Sequence, residues 1–190
     1  MAESLRIKFH SATPDRWADV ETLFGARGAC GGCWCQAWRK TAKDFKADTG
    51  DRNRRALKKI IERGDEPGIL AYLDGLPAGW CAVAPRDVYV RLLASRVLKP
   101  LDDRPVWSVS CLFILKGYRR KGVSSKLLKA AVEFVKSKGG KIVEGYPVIP
   151  YTEKMPDAFA WTGLLRCYEK AGFKVAGQWS KARPIVRKCL

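Results

Sequence analysis

Apolar and polar residues alternate at the start of the chain, where Leu5, Ile7 and Phe9 are interleaved with Arg6, Lys8 and His10. A period of two marks a strand with one buried face. Thr13-Pro14-Asp15 then opens a helix, with Thr13 as N-cap and Pro14 at the first helical position, where the missing N–H costs nothing. Trp17, Val20, Leu23 and Phe24 make its apolar stripe, and Gly25 ends it. Asp51 caps a second, basic helix carrying Leu57, Ile60 and Ile61 and closed by Gly64. Residues 69–73 and 78–84 flank the turn-forming cluster Asp74-Gly75-Leu76-Pro77, which predicts a β-hairpin. Residues 88–98 read as helical or irregular.

The strongest strand pattern covers 106–115. Its odd positions, Trp107, Val109, Cys111, Phe113 and Leu115, are all apolar, and its even positions are small or apolar. A strand apolar on both sides belongs in the middle of a sheet. Beyond a short basic loop, Val123, Leu127, Leu128, Ala131, Val132 and Val135 recur at helical spacing, with Lys126, Lys129 and Lys136 on the outside. Gly139-Gly140 stops that helix and 141–146 reads as a short strand. A last helix is expected over 161–171, followed by strands at 173–175 and 184–188. The order β-α-α-β-β-β-α-β-α-β-β, without repeat or linker, predicts one mixed α/β domain over residues 1–190.

Composition adds compartment and charge. No apolar run approaches the ~20 residues of a membrane span. Met1-Ala2-Glu3-Ser4-Leu5-Arg6 lacks the layout of a secretory signal, so a cytoplasmic location is expected. The seven cysteines are odd in number, and Cys81, Cys111 and Cys167 sit in apolar segments, which suits reduced thiols. The net charge of +17 attracts anions, whether nucleic acid, acidic membrane or a polyanionic small molecule. It is not gathered in a tail: residues 39–63 hold ten Lys or Arg against four acids, and 116–141 hold nine against one. Apolar residues are spaced regularly through both stretches, which reads as charged faces of folded elements.

The candidate chemistry lies between the strongest strand and the helix after it. A strand that turns directly into a helix leaves backbone N–H groups unpaired at the positive end of the helix dipole, a ready anion site. Gly122 allows close approach of a phosphate oxygen, and Arg119, Arg120 and Lys121 add charge. Taken alone, these residues equally suit a basic connection that binds nothing.

The order of motifs is more specific. Arg119-x-x-Gly122-x-Ser124 resembles the Arg/Gln-x-x-Gly-x-Gly/Ala loop of GNAT acetyltransferases. Cys167-Tyr168-Glu169-Lys170-Ala171-Gly172-Phe173 resembles the family's Leu-Tyr-x-Lys-x-Gly-Phe block, and Asp74-Gly75-x-Pro77-x-Gly79-Trp80 its hairpin. The resemblance covers about residues 66–190. Two positions depart from it: Ser124 adds bulk and a hydroxyl donor, and Trp161 stands where many members carry a cofactor-contacting Asn.

The resemblance implies a mixed, strongly twisted sheet flanked by helices, and transfer of an acetyl group from acetyl-CoA to a primary amine on a small molecule or peptide. It implies that strands 106–115 and 141–146 splay apart to admit the pantetheine arm. Backbone N–H groups near Phe113 and Leu115 would hold that arm and the thioester oxygen. The cofactor residues it implies are Phe113, Ile114, Leu115, Arg119, Arg120, Lys121, Gly122, Val123, Ser124 and Ser125. Tyr168 is the implied acid for the departing thiolate.

Glu144 shares a strand side with Ile142 and Tyr146, an unusual place for an unpaired acid. It reads equally as a general base acting through water or as half of an ion pair. Tyr146-Pro147-Val148-Ile149-Pro150-Tyr151 either lines the acceptor site or closes the fold. Cys30-x-x-Cys33-x-Cys35 lacks a fourth ligand for a closed tetrahedral site, and Trp34 and Trp38 beside it point to packing, so no metal is expected. By resemblance this segment shapes the acceptor site. His10, the single histidine, reads as a surface residue. A nucleic-acid-binding or thiolate–metal protein on the same fold is the alternative.

Overall fold

The structure, a computed structural model, describes residues 6–150, 155–180 and 183–190. Leu5 of the first expected strand, the residues before it and Tyr151 lie outside the described residues. Among those described, seven strands form one sheet in the order β1-β2-β3-β4-β5-β7-β6. They are β1 (Ile7–Ser11), β2 (Gly68–Leu73), β3 (Leu76–Pro85), β4 (Trp107–Ile114), β5 (Ile142–Gly145), β6 (Lys174–Ser180) and β7 (Arg183–Cys189). Only the β4–β5 pair is parallel; the other neighbours run antiparallel. The helices are α1 (Trp17–Phe24), α2 (Ala42–Ala47), α3 (Asp51–Glu62), α4 (Val90–Leu93), α5 (Val123–Ser137) and α6 (Leu165–Lys170). None among the described residues is long and apolar enough to cross a membrane.

The core is split by the sheet. On one face α5 buries Val123, Leu127, Leu128, Ala131, Val132 and Val135 against the sheet. On the other, Val20, Leu23 and Phe24 of α1 and Leu57 and Ile61 of α3 meet Leu70 and Trp80. Burying side chains of this size stabilises by about 1.5–3 kcal/mol each. The expected elements are present with shifted ends. Thr13 does not cap by its side chain; its hydroxyl accepts from Arg16 Nη1 at 2.8 Å. Gly50, not Asp51, is the N-cap of α3. The helix expected over 161–171 narrows to α6, because 161–164 form a turn and an extended segment that packs against β4. Helix α2 has no buried residue and hence no apolar stripe to reveal it; Thr41 caps it by accepting from the Asp44 N–H at 3.2 Å.

β4 departs from its alternation in a way that shapes the site. Ala82 pairs with Cys111 but Val83 pairs with Val109, so Ser110 is an extra residue in β4, a bulge. One inserted residue reverses which face each later side chain takes. Trp107 and Val109 therefore face α5, while Cys111, Phe113 and Leu115 face α1, and Leu112 and Ile114 take over the α5 face. The β4–β5 ladder runs from Trp107↔Val143 to Val109↔Gly145 and stops at this bulge.

Candidate active site

Where β4 and β5 part, a cleft of about 1240 Å³ opens. One wall is β4 from Ser110 to Ile114, and the floor at one end is the β4–α5 loop. The opposite end is closed by the segment 29–38, with Cys30, Cys33, Cys35 and Trp38 on its surface. Residues 160–165 cross between the diverging strands. Val148 N–H donates to Gly163 O at 2.9 Å and Leu165 N–H to Val148 O at 3.2 Å, while Leu112 N–H donates to Trp161 O at 2.7 Å. Trp161 stacks on Trp38 with centroids 5.5 Å apart, so the two aromatic walls meet over the cleft.

The β4–α5 loop has the shape of an anion cradle. Arg120 and Gly122 both adopt left-handed backbone, at φ 61° and 74°. Gly122 is the N-cap of α5 and no side chain caps it, so the first N–H groups of the helix are left for solvent or ligand. A Cβ built on Gly122 meets nothing within 4 Å, which leaves open space in front of the helix end. Arg119 donates from Nε to Ile114 O at 2.9 Å and is thereby tied to the edge of β4.

Most of the expected cofactor residues come together here. Phe113, Ile114, Arg119, Arg120 and residues 122–125 line the cleft; Leu115 and Lys121 do not. Lys121 extends over the Tyr118 ring at 5.7 Å. The Leu115 N–H is committed to Ala78 O at 3.0 Å, across β3. Amides alternate along a strand, so Phe113 also points to β3, and Leu112 and Ile114 present their N–H groups to the parted edge. Of the amides near Phe113 and Leu115, the bulge thus turns those of Leu112 and Ile114, rather than Phe113 and Leu115 themselves, toward the cleft.

Glu144 requires a larger correction. It is fully buried and absent from the cleft wall. Its Oε1 accepts from Arg86 Nη1 at 2.6 Å and Tyr146 OH at 2.7 Å, and its Oε2 from Arg187 Nε at 2.7 Å. Arg187 continues to Asp102 at 2.6 Å, and Ser108 Oγ lies 2.7 Å from the Tyr146 hydroxyl. Three donors, two of them guanidinium groups, occupy most of the carboxylate's acceptor sites, and its burial keeps it from the cleft. Of the two readings, the geometry is that of the ion-pair half, buried away from the cleft that a base would face.

Tyr168 lies one layer behind the wall. It is fully buried in the α5-side core, and its hydroxyl donates to Thr162 O at 3.0 Å. Its ring packs on Gly145, where a Cβ would fall 2.2 Å from Cε1, and beneath Gly163, which is on the wall. Burial pushes its phenol well above the ordinary tyrosine range, so it keeps its proton at neutral pH. Among the described residues no group of three or more His, Cys, Asp or Glu is placed to hold a metal ion. The sequence reading treated Cys111 as ordinary core; the bulge brings it onto the cleft wall, facing Cys35. Period-two alternation alone could have paired Cys111 with Phe113, but not with a loop 76 residues earlier in the chain.

The sequence matches the family model of the acetyltransferase (GNAT) family over residues 34–173. Among solved structures, the fold is similar to PaiA N-acetyltransferase from Thermoplasma acidophilum in complex with coenzyme A. The TM-score is 0.55 at 16% identity, covering 97% of this chain and 99% of that one. A GNAT-family acetyltransferase from Listeria monocytogenes gives 0.59 at 13% identity, covering 100% and 98%. The polyamine N-acetyltransferase of Drosophila melanogaster, which catalyses formation of N-acetylagmatine, gives 0.59 at 9% identity, covering 97% and 100%. At these identities the likeness is one of fold. Curated protein sequences give no match.

Proposed function

Because the chain belongs to the GNAT acetyltransferase family, we propose that it transfers an acetyl group from acetyl-CoA to a primary amine. The observation that carries this reading is the continuity of one cleft, from the parted edge of β4 to the uncapped N-terminus of α5. When bound, acetyl-CoA supplies a thioester carbonyl open to amine attack and a thiolate that leaves readily. Arg119, Arg120 and the amides of residues 122–125 would hold its pyrophosphate, and Leu112 and Ile114 would donate to its pantetheine arm and carbonyl oxygen. Donors fixed before reaction and aimed at developing negative charge supply the largest part of such catalysis. For Leu112 to serve, Trp161 O must give up its N–H.

Tyr168 keeps its proton across the physiological range and is the acid we assign to the leaving sulfur, once Thr162 O releases its hydroxyl. The amine gives its own proton to water in the cleft, Glu144 being spent in its ion pairs. The described wall carries Arg91, Arg119, Arg120, Arg166 and Lys170 and no Asp or Glu. An acceptor with several positive charges is repelled there, so amines of amino acids and peptides suit the cleft better than polyamines or aminoglycosides. The setting is cytoplasmic, where seven unbridged cysteines stay reduced.

The test is release of CoA thiol from acetyl-CoA in the presence of paired acceptors, lysine against cadaverine and arginine against agmatine, with protein thiols subtracted. Amine-dependent release is expected, with kcat/KM at least about tenfold higher for the amino acid of each pair. No release with any amine would remove the transferase reading. Release that favours the diamines would remove only the acceptor class.

A further inference from the structure

Four cysteines face the cleft at its acceptor end, and the mechanism above uses none of them: Cys30, Cys33, Cys35 and Cys111. Two of them are in a particular relation. Trp34 and Cys35 take successive left-handed backbone conformations, at φ 40° and 57°. L-residues adopt these reluctantly, so the surroundings must hold them. The result buries Cys35 between Trp80 and β4. There the Trp80 indole donates from Nε1 to the Cys35 sulfur at 2.9 Å, and Cys111 packs against the same apolar cluster with its thiol neighbouring that of Cys35. Arg39 adds a positive field.

Donors aimed at one sulfur favour its charged form. The adjacent Cys111 thiol, against the opposing effect of burial, holds the Cys35 thiol below the usual range, and the same contact pushes Cys111 well above it. Of the two thiols, Cys35 is thus the one that gives up its proton more readily. The neighbours differ. Cys33 gives its own S–H to Gly28 O at 3.4 Å and is pushed up by burial. Cys81 is pushed up by burial as well and lies off the cleft wall.

A thiol biased toward ionisation beside a second that keeps its proton, both on the wall of one cleft, is an arrangement suited to reducing peroxides. We propose that Cys35 and Cys111 form a hydroperoxide-reactive dithiol, whose disulfide ties the 28–35 loop to β4 across the acceptor end of the cleft. The Cys35 sulfur attacks one peroxide oxygen and the O–O bond breaks. The departing hydroxide or alkoxide takes up one proton from solvent, equivalent to the one Cys35 gave up on ionising, and leaves as water or alcohol, while Cys35 is left as the sulfenic acid. The Cys111 sulfur then attacks the Cys35 sulfur, the S–O bond breaks, and the hydroxyl leaves as water with the Cys111 proton. Two thiols are oxidised by two electrons, and the peroxide is reduced to water, or to water and an alcohol.

The experiment treats folded, full-length protein near neutral pH with hydrogen peroxide equimolar to protein. Remaining thiols are blocked and the peptides mapped without reduction. The expected product is one cross-link between Cys35 and Cys111, lighter by the two thiol hydrogens, reversed by dithiothreitol and formed at least about tenfold faster than any bridge through Cys30 or Cys33. In Cys111→Ser, Cys35 should instead accumulate as a sulfenic acid that dimedone traps. A Cys30–Cys33 bridge as the main product would overturn the proposal, as would the absence of any bridge at Cys35. The wild-type map decides this whether or not the variant folds.

Discussion

Tyr168 carries both a structural and a chemical assignment, and its hydroxyl is where they separate. Tyr168→Phe keeps the ring on Gly145 and removes only the donor to Thr162 O. The loss of that bond should cost about 1 kcal/mol of stability. Loss of the acid should lower kcat by roughly ten- to a thousandfold, with acetyl-CoA affinity unchanged. Turnover within about twofold of wild type would leave Tyr168 a purely structural residue. Its raised pKa also predicts a pH dependence. Burial holds Tyr89, Tyr146 and Tyr168 above the ordinary range, whereas the unfolded chain releases these protons near pH ~10. The unfolded state then binds fewer protons, so the stabilisation is complete below about pH 10 and lost as pH rises through it. Denaturant unfolding across that range should show a falling stability, with a shallower slope for Tyr168→Phe. The places of Gly122 at the start of α5 and of Tyr168 in the last helix were legible in the sequence because each belongs to a short motif with its own local geometry. The role of Glu144 was not, because its partners Arg86 and Arg187 stand 58 and 43 residues away.

At the scale of elements, Glu144 joins β5 to β7 and to the segment after β3, through Arg187 and Arg86. Arg86 also reaches Leu98 O at 2.5 Å, which fixes the stretch before β4 that has little regular structure of its own. Glu144→Gln keeps the shape but leaves two guanidinium groups without a counter-charge, and breaking a buried pair costs about 3–5 kcal/mol. Thermal and denaturant unfolding should register that loss, while kcat per folded molecule and acetyl-CoA affinity stay within about twofold. Unchanged stability with a kcat lowered by about a hundredfold or more would return Glu144 to the mechanism as a base. The strands and α5 were readable from periodicity because each buries a continuous stripe. The Ser110 bulge was not, since residues 106–115 are apolar on both sides and its position depends on the pairing with β3. Because the bulge reverses the pleat, it also decided which amides face the cleft and put Cys111 against Cys35.

For the whole molecule, a net charge of +17 is spread over the basic faces of α3 and α5 and the cleft rather than held in one patch. Such a field draws a polyanionic cofactor toward the loop from any direction, and salt will slow that approach. The sheet order, the parting of β4 from β5 and the uncapped end of α5 all support the central proposal, that acetyl-CoA binds with its pyrophosphate at residues 119–125. Calorimetric titration of acetyl-CoA into the wild type and into Gly122→Val tests it most directly. A Cβ at Gly122 clashes with nothing in the protein, so the variant should fold, yet a branched side chain at φ 74° is strained and fills the space a phosphate oxygen needs. The account predicts saturable binding to the wild type and a loss of at least about a hundredfold in the variant, whose circular dichroism matches the wild type. Equal affinity in the two proteins would contradict it.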